Sequence, residues 1–236
     1  MLPTLAKVLG VSSVFWLTAC VQHFEPAGPT RHESRNIARG KAEMVRVELN
    51  MGAGELRAKS GSSQLFDGEF SYNTSFCKPE VRYDESSFRG HLEIRSPSHN
   101  SSMGNNHCTW DLRFSEEIPL DFDVHFGAGE ARLDLGRLDL RSLTVNMGVG
   151  QLTVDLRGQP KHDYDVQIHG GVGEAIVHLP SEAAIIATAH GGIGGIDVHG
   201  LHKDGDRWVN ETSRHGNSTV RVNVTGGVGH IQLTAD

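Results

Sequence analysis

A Gly-x-Gly element recurs along this chain at a nearly constant interval, and that repeat constrains the fold more than any other feature. The copies are Gly52-Ala53-Gly54, Gly127-Ala128-Gly129, Gly148-Val149-Gly150, Gly171-Val172-Gly173, Gly192-Ile193-Gly194 and Gly227-Val228-Gly229. The four central ones start 21, 23 and 21 residues apart. Apolar residues alternate with polar ones on both sides of each copy, as in Phe122/Val124/Phe126 before and Ala131/Leu133/Leu135 after. A period of two is the mark of a strand with one face buried. Each unit therefore reads as two short strands joined at the glycines.

Glycine belongs at such a joint because a sharp bend needs a positive φ, or a backbone approach that a Cβ forbids. A strand that bends about every 21 residues becomes a coil. Coils stacked at about 4.8 Å pair each backbone with the next and bury one continuous apolar column. The fold class predicted is all-β: a parallel β-solenoid of stacked two-strand coils of about 21 residues, with a less regular N-terminal β region. An antiparallel sandwich of hairpins is the competing arrangement. Residues 41–236 read as a single domain, irregular over 41–120, where strands and hairpins cap one end of the stack, and regular over 121–236.

The first residues carry an address. One positive residue, Lys7, precedes a mostly apolar run that closes on small residues. That is an export signal, too short for a stable membrane span. Its end, Leu17-Thr18-Ala19-Cys20, resembles the lipobox of bacterial lipoproteins. That resemblance implies a signal peptide over 1–19 and an acylated Cys20 that holds a soluble domain at a membrane surface. An ordinary secretory signal cut near Cys20 is the plainer alternative. Residues 21–40, with Pro26 and Pro29 and no apolar period, extend this as a tether over 20–40. Setting Cys20 aside leaves Cys77 and Cys108, which an oxidising compartment would let bridge; two buried free thiols are the alternative. Val21 and Gln22 favour the outer membrane in a cell with two membranes. A formal net charge of −7 argues against nucleic acid as a partner and against docking on anionic headgroups, so the lipid carries the membrane contact.

Several of these stretches resemble a known family. Val47-Glu-Leu49-Asn-Met51 with the following Gly-Ala-Gly, Gly68-Glu-Phe70-Ser-Tyr72, Pro79-Glu-Val81-Arg-Tyr83 and the serial glycine units are similar to the bacterial toast-rack domains, near the C-terminal domain of LiaF-type cell-wall-stress regulators. The resemblance covers about residues 40–236. It implies an envelope β-solenoid that serves protein–protein contact, assembly or stress signalling, without catalysis. LiaF-type proteins carry membrane spans where this chain has a lipobox, so a membrane-embedded signalling partner is not carried over.

Other chemistry is weaker. No glycine copy continues to G-x-G-x-x-G, and a strand rather than a helix follows each, which argues against a nucleotide. Gly191-Gly-Ile-Gly194-Gly-Ile-Asp197 places its aspartate one residue late for a calcium nonapeptide. Laid in register, His125, Asn146, His169 and His190 fall in one column, and Asp134, Asp155, His178 and His199 in a second. The second column offers imidazole and carboxylate ligands for a divalent ion, although outward polar positions wetted by solvent explain the same residues, and no metal or cofactor is assigned. Stacked imidazoles would also repel on protonation, which makes pH sensing a further option. Glu55, Glu130 and Glu174 recur after the glycines and would line a groove in a carbohydrate-active β-helix enzyme, but they fit a repeated turn position better. No nucleophile–base motif is present. The expected function is a lipid-anchored, non-catalytic interaction, assembly or signalling module of the bacterial envelope. Its expected partners are the membrane, through Cys20, and an envelope protein or polymer. A carbohydrate-active enzyme and a metal- or pH-responsive sensor are the alternatives.

Overall fold

The structure is a computed structural model that describes residues 28–97, 106–211 and 218–236. Signal peptide, Cys20 and the first part of the tether lie outside the described residues. In chain order the strands are β1 (Arg31–Ile37), β2 (Met44–Ser60), β3 (Phe66–Tyr72), β4 (Glu80–Ser86), β5 (Arg89–Arg95), β6 (Cys108–Phe114), β7 (Leu120–Asp134), β8 (Leu140–Asp155), β9 (Tyr164–Leu179), β10 (Ala184–His199), β11 (His202–Asp204), β12 (Arg207–Val209) and β13 (Thr219–Ala235). One 3-10 turn, Ser75–Cys77, lies between β3 and β4. No helix among the described residues is long and apolar enough to cross a membrane.

Six long strands carry the glycine copies and stack in the order β2-β7-β8-β9-β13-β10, every neighbouring pair parallel. Each strand bends at its glycines into two limbs, and the copies lie in register: Gly129 pairs with Gly54, Gly150 with Gly129, and Gly173 with Gly150. The parallel arrangement excludes the sandwich of hairpins. The bend explains the residue type. Gly150 has φ +134°, and a Cβ added there would meet the Gly129 carbonyl oxygen at 1.9 Å. At Gly148 φ is ordinary, but a Cβ would lie 2.4 Å from the Gly127 oxygen. In the copies from Gly127 onward the second glycine supplies the turn and the first lets the rungs approach.

Inward residues form continuous columns through the stack. One runs Val47, Phe122, Leu143, Val166, Val222, Ala187 on the first limb, and another Ala58, Leu133, Val154, Val177, Leu233, Val198 on the second. All but Val198 are buried. The N-terminal end is closed on both limbs. β5 pairs with the first limb of β2 and β6 with the second, both parallel. β4, β3 and β1 then add on as antiparallel strands. Phe66, Phe70, Trp110 and Phe114 pack this cap, with Phe70 and Trp110 edge to face at 5.7 Å.

Three features differ from the expectation. Residues 31–37, within the stretch assigned to the tether, form β1, because the hydrogen-bonding edge of β3 lies open to them. The first glycine copy belongs to the regular stack, so regularity begins at β2 rather than near residue 121. Spatial order also departs from chain order: β13 inserts between β9 and β10. The insertion buries the more apolar rung. β13 presents Val222, Val224 and Leu233 where β10 presents Ala187, Ala189 and Val198. Ile185 on β10 is one carbon larger than its partner Val220, so the net difference is about four carbons, worth roughly 3 kcal/mol when the bulkier rung lies inside.

Candidate interaction surface

The register decides which outward side chains meet. The first proposed column reads Asn50, His125, Asn146, His169, Thr225, His190. No two histidines are neighbours in it, since Asn146 and Thr225 intervene, and His125 lies 3.1 Å from Asp123 on its own strand. Imidazoles two rungs apart, about 10 Å, repel weakly across solvent. The His169–His190 contact expected from chain order is therefore absent, because β13 lies between β9 and β10 and sets Thr225 between them.

The second column reads Lys59, Asp134, Asp155, His178, Thr234, His199. Asp134, Asp155 and His178 are consecutive, while Thr234 separates His199 from them. Asp155 is already engaged: Arg157 donates to it from Nε at 3.0 Å and from an Nη at 2.6 Å, and its backbone N–H adds a third bond at 3.0 Å. Partial burial pushes the Asp155 carboxyl up, but the Arg157 bonds and charge outweigh it and hold the carboxyl below the usual carboxylate range. Among the described residues no three His, Cys, Asp or Glu side chains converge as a metal site.

The carboxylates after the glycines form a third column: Glu55, Glu130, Gln151, Glu174, His230. Arg57 pairs with Glu55, and Gln151 donates to Glu174 at 2.7 Å. They run along one line on the outside of the bend instead of facing one another across a cleft. General acid–base cleavage of a glycoside needs two carboxyls on opposite sides of one bond.

Beside them lies a feature the sequence displayed and motif reasoning passed over, the middle residue of each glycine copy. Ala53, Ala128, Val149, Val172, Val228 and Ile193 pair rung to rung into one ladder about 24 Å long. Val149, Val172, Val228 and Ile193 are 53, 48, 46 and 74% exposed. Their flanks are glycines, which add no side chain to cover them. A surface position in contact with water carries no demand for an apolar residue, yet every copy has one, and the bulk grows from alanine to isoleucine toward the β10 end. A contiguous exposed apolar row of this kind is the candidate contact surface of the molecule.

Cys77 and Cys108 are buried free thiols, with the Cys108 sulfur 4.0 Å from the Cys77 carbonyl oxygen. Contact with Cys108 lowers the Cys77 thiol to about 7, and the same contact together with burial pushes Cys108 well up.

Bent parallel rungs in register, with a polar flank and an apolar outer ladder, define an all-β stacked scaffold. The chain belongs to the toast-rack family: residues 26–178 match the family described as the N-terminal domain of toast_rack. A crystal structure of a candidate cell adhesion protein from Clostridium sporogenes is 32% identical, covers 88% of this chain and all of its own, and superimposes with a TM-score of 0.85. A candidate adhesin from Bacteroides fragilis is 8% identical over 89% of this chain and 99% of its own, with a TM-score of 0.30. None of the curated proteins compared with the chain matches it.

Proposed function

We propose that the protein is a lipid-anchored, non-catalytic interaction module of the bacterial cell envelope, held to a membrane by an acylated Cys20. The observation that carries the reading is the exposed apolar ladder from Ala53 to Ile193, a surface with no role in the protein's own core. The Leu-Thr-Ala-Cys ending of the export signal and the likeness to the Clostridium protein assigned to adhesion support it. The partner is an envelope protein or polymer that lies along the ladder, and in a cell with two membranes the anchor sits in the outer one. Carbohydrate cleavage has no comparable support, because the carboxylates lie in line on an outer face.

The test is metabolic labelling with an alkyne fatty acid followed by membrane fractionation and cross-linking, comparing the native chain with Cys20→Ala and with Val149→Asp/Val172→Asp. The expected result is loss of label and release from membranes for Cys20→Ala. The ladder variant should keep its label and lose its cross-linked partner. A Cys20→Ala chain that keeps its membrane association, or a ladder variant that cross-links as well as the native chain, would overturn the reading.

A further inference from the structure

The two ends of the stack are closed unequally. At the N-terminal end both limbs of β2 are covered, the second by β6, whose Trp110 and Leu112 pair with Leu56 and Ala58 and are fully buried. At the other end β12 covers only the first limb of β10, at Ile186 and Ala187. Along residues 191–199 β10 pairs with β13 on one side, and among the described residues no strand pairs with the other. The apolar columns run out into solvent there. Ile196 is 36% exposed, whereas Ile231 in the same column one rung inward is 4% exposed. A bare backbone edge over an open core is the arrangement natural sheets avoid by charge, proline or a covering strand. The Gly195-Ile196-Asp197-Val198-His199 limb has no proline and only one formal charge.

We infer that the second limb of β10 is a strand-acceptor site for an extended partner segment with apolar residues on its inner face and basic residues on its outer face. The internal precedent is β6 on β2. There the inward side chains are large and apolar, and the outward Asp111 accepts from Lys59 at 3.2 Å, opposite in charge to its neighbour on β2. On β10 the outward residue between Ile196 and Val198 is Asp197, which is 3.3 Å from His230 and shows no Lys or Arg pair. A partner residue beside it is therefore basic, and those beside Ile196 and Val198 are apolar. A second copy related by a two-fold axis fits less well, because antiparallel pairing centred on this limb would set Asp197 against Asp197, like charge against like. This site is separate from the ladder and does not depend on it.

The probe is a capped peptide of the β6 pattern with the acidic residue made basic, Thr-Trp-Lys-Leu-Arg-Phe-Thr, titrated into the detergent-solubilised full-length protein. Binding is read by fluorescence anisotropy and amide hydrogen exchange. Saturable binding is expected, with exchange slowed at 195–199 and unchanged at 184–189. Ile196→Lys/Val198→Lys should weaken binding at least ten-fold while the melting temperature stays within a few degrees, since both side chains already reach solvent. A peptide with Glu in place of Lys and Arg should bind several-fold more weakly. The inference falls if the 195–199 amides are as protected in the free monomer as those of 231–235. It falls equally if the double variant binds the peptide unchanged, or if the protein alone dimerises through this limb. Retention of the envelope cross-link by the Ile196→Lys/Val198→Lys chain would leave the proposed function intact while this site failed.

Discussion

Replacing Gly150 with alanine tests the physical basis of the whole stack. Gly150 sits at φ +134°, which costs a residue with a Cβ about 1–3 kcal/mol. The added Cβ would lie 1.9 Å from the Gly129 carbonyl oxygen, and 2.9 and 3.0 Å from that residue's carbon and nitrogen. Relief requires β7 and β8 to part by roughly 1 Å at the bend, which lengthens the backbone hydrogen bonds on either side at about 0.5–1.5 kcal/mol each. Together these cost about 4 kcal/mol, a fall in Tm of roughly 8–16 °C for a domain of this size. Gly170→Ala is the matched control on the next rung. Its Cβ would find only the Thr225 oxygen, at 3.9 Å, and its φ is ordinary. Restricting the unfolded chain is worth about 0.4–1 kcal/mol there, so its Tm should hold or rise slightly. Thermal melts followed by circular dichroism separate the two. If Gly150→Ala melts within 2 °C of Gly170→Ala, close rung contact is not what selects glycine, and the account of the bend is wrong.

Acid titration checks the Asp155 pair. Because Arg157 holds the folded carboxyl below its unfolded value of about 3.9, the pair stabilises the fold above that pH and ceases to as pH falls through the folded value. The Tm gap between the native chain and Arg157→Ala should stay constant from pH 5 to 7, shrink below about 4 and close near 2; a gap that widens on acidification refutes the assignment. For the thiols, we propose that Cys77 and Cys108 bridge on export, closing a loop of 31 residues. Protein recovered from the envelope should be two hydrogens lighter by intact mass and melt lower after reduction, by an amount equivalent to roughly 3–4 kcal/mol. An unchanged mass, or equal melting with and without reductant, counts against the bond.

The Gly-x-Gly spacing and the period-two flanks pointed to an all-β stack of bent strands, because both report local backbone demands: where the chain must turn, and which face must leave water; the register between rungs decided for parallel pairing over a sandwich of hairpins. Inward residues such as Leu133, Val154 and Val177 were legible for the same reason. The apolar middle residues of the glycine copies were equally visible, but their exposure was not, since a valine at a strand position looks the same whether it faces the core or the solvent until the bend sets its direction. Rung order lay beyond local information altogether. Nothing near Val220 or Ile185 says which of two similar strands goes inside; that depends on the apolar area each buries against β9, a comparison made only when the rungs compete for the same edge. That one choice put Thr225 between His169 and His190 and Thr234 between His178 and His199, and left β10 as the half-covered end of the stack.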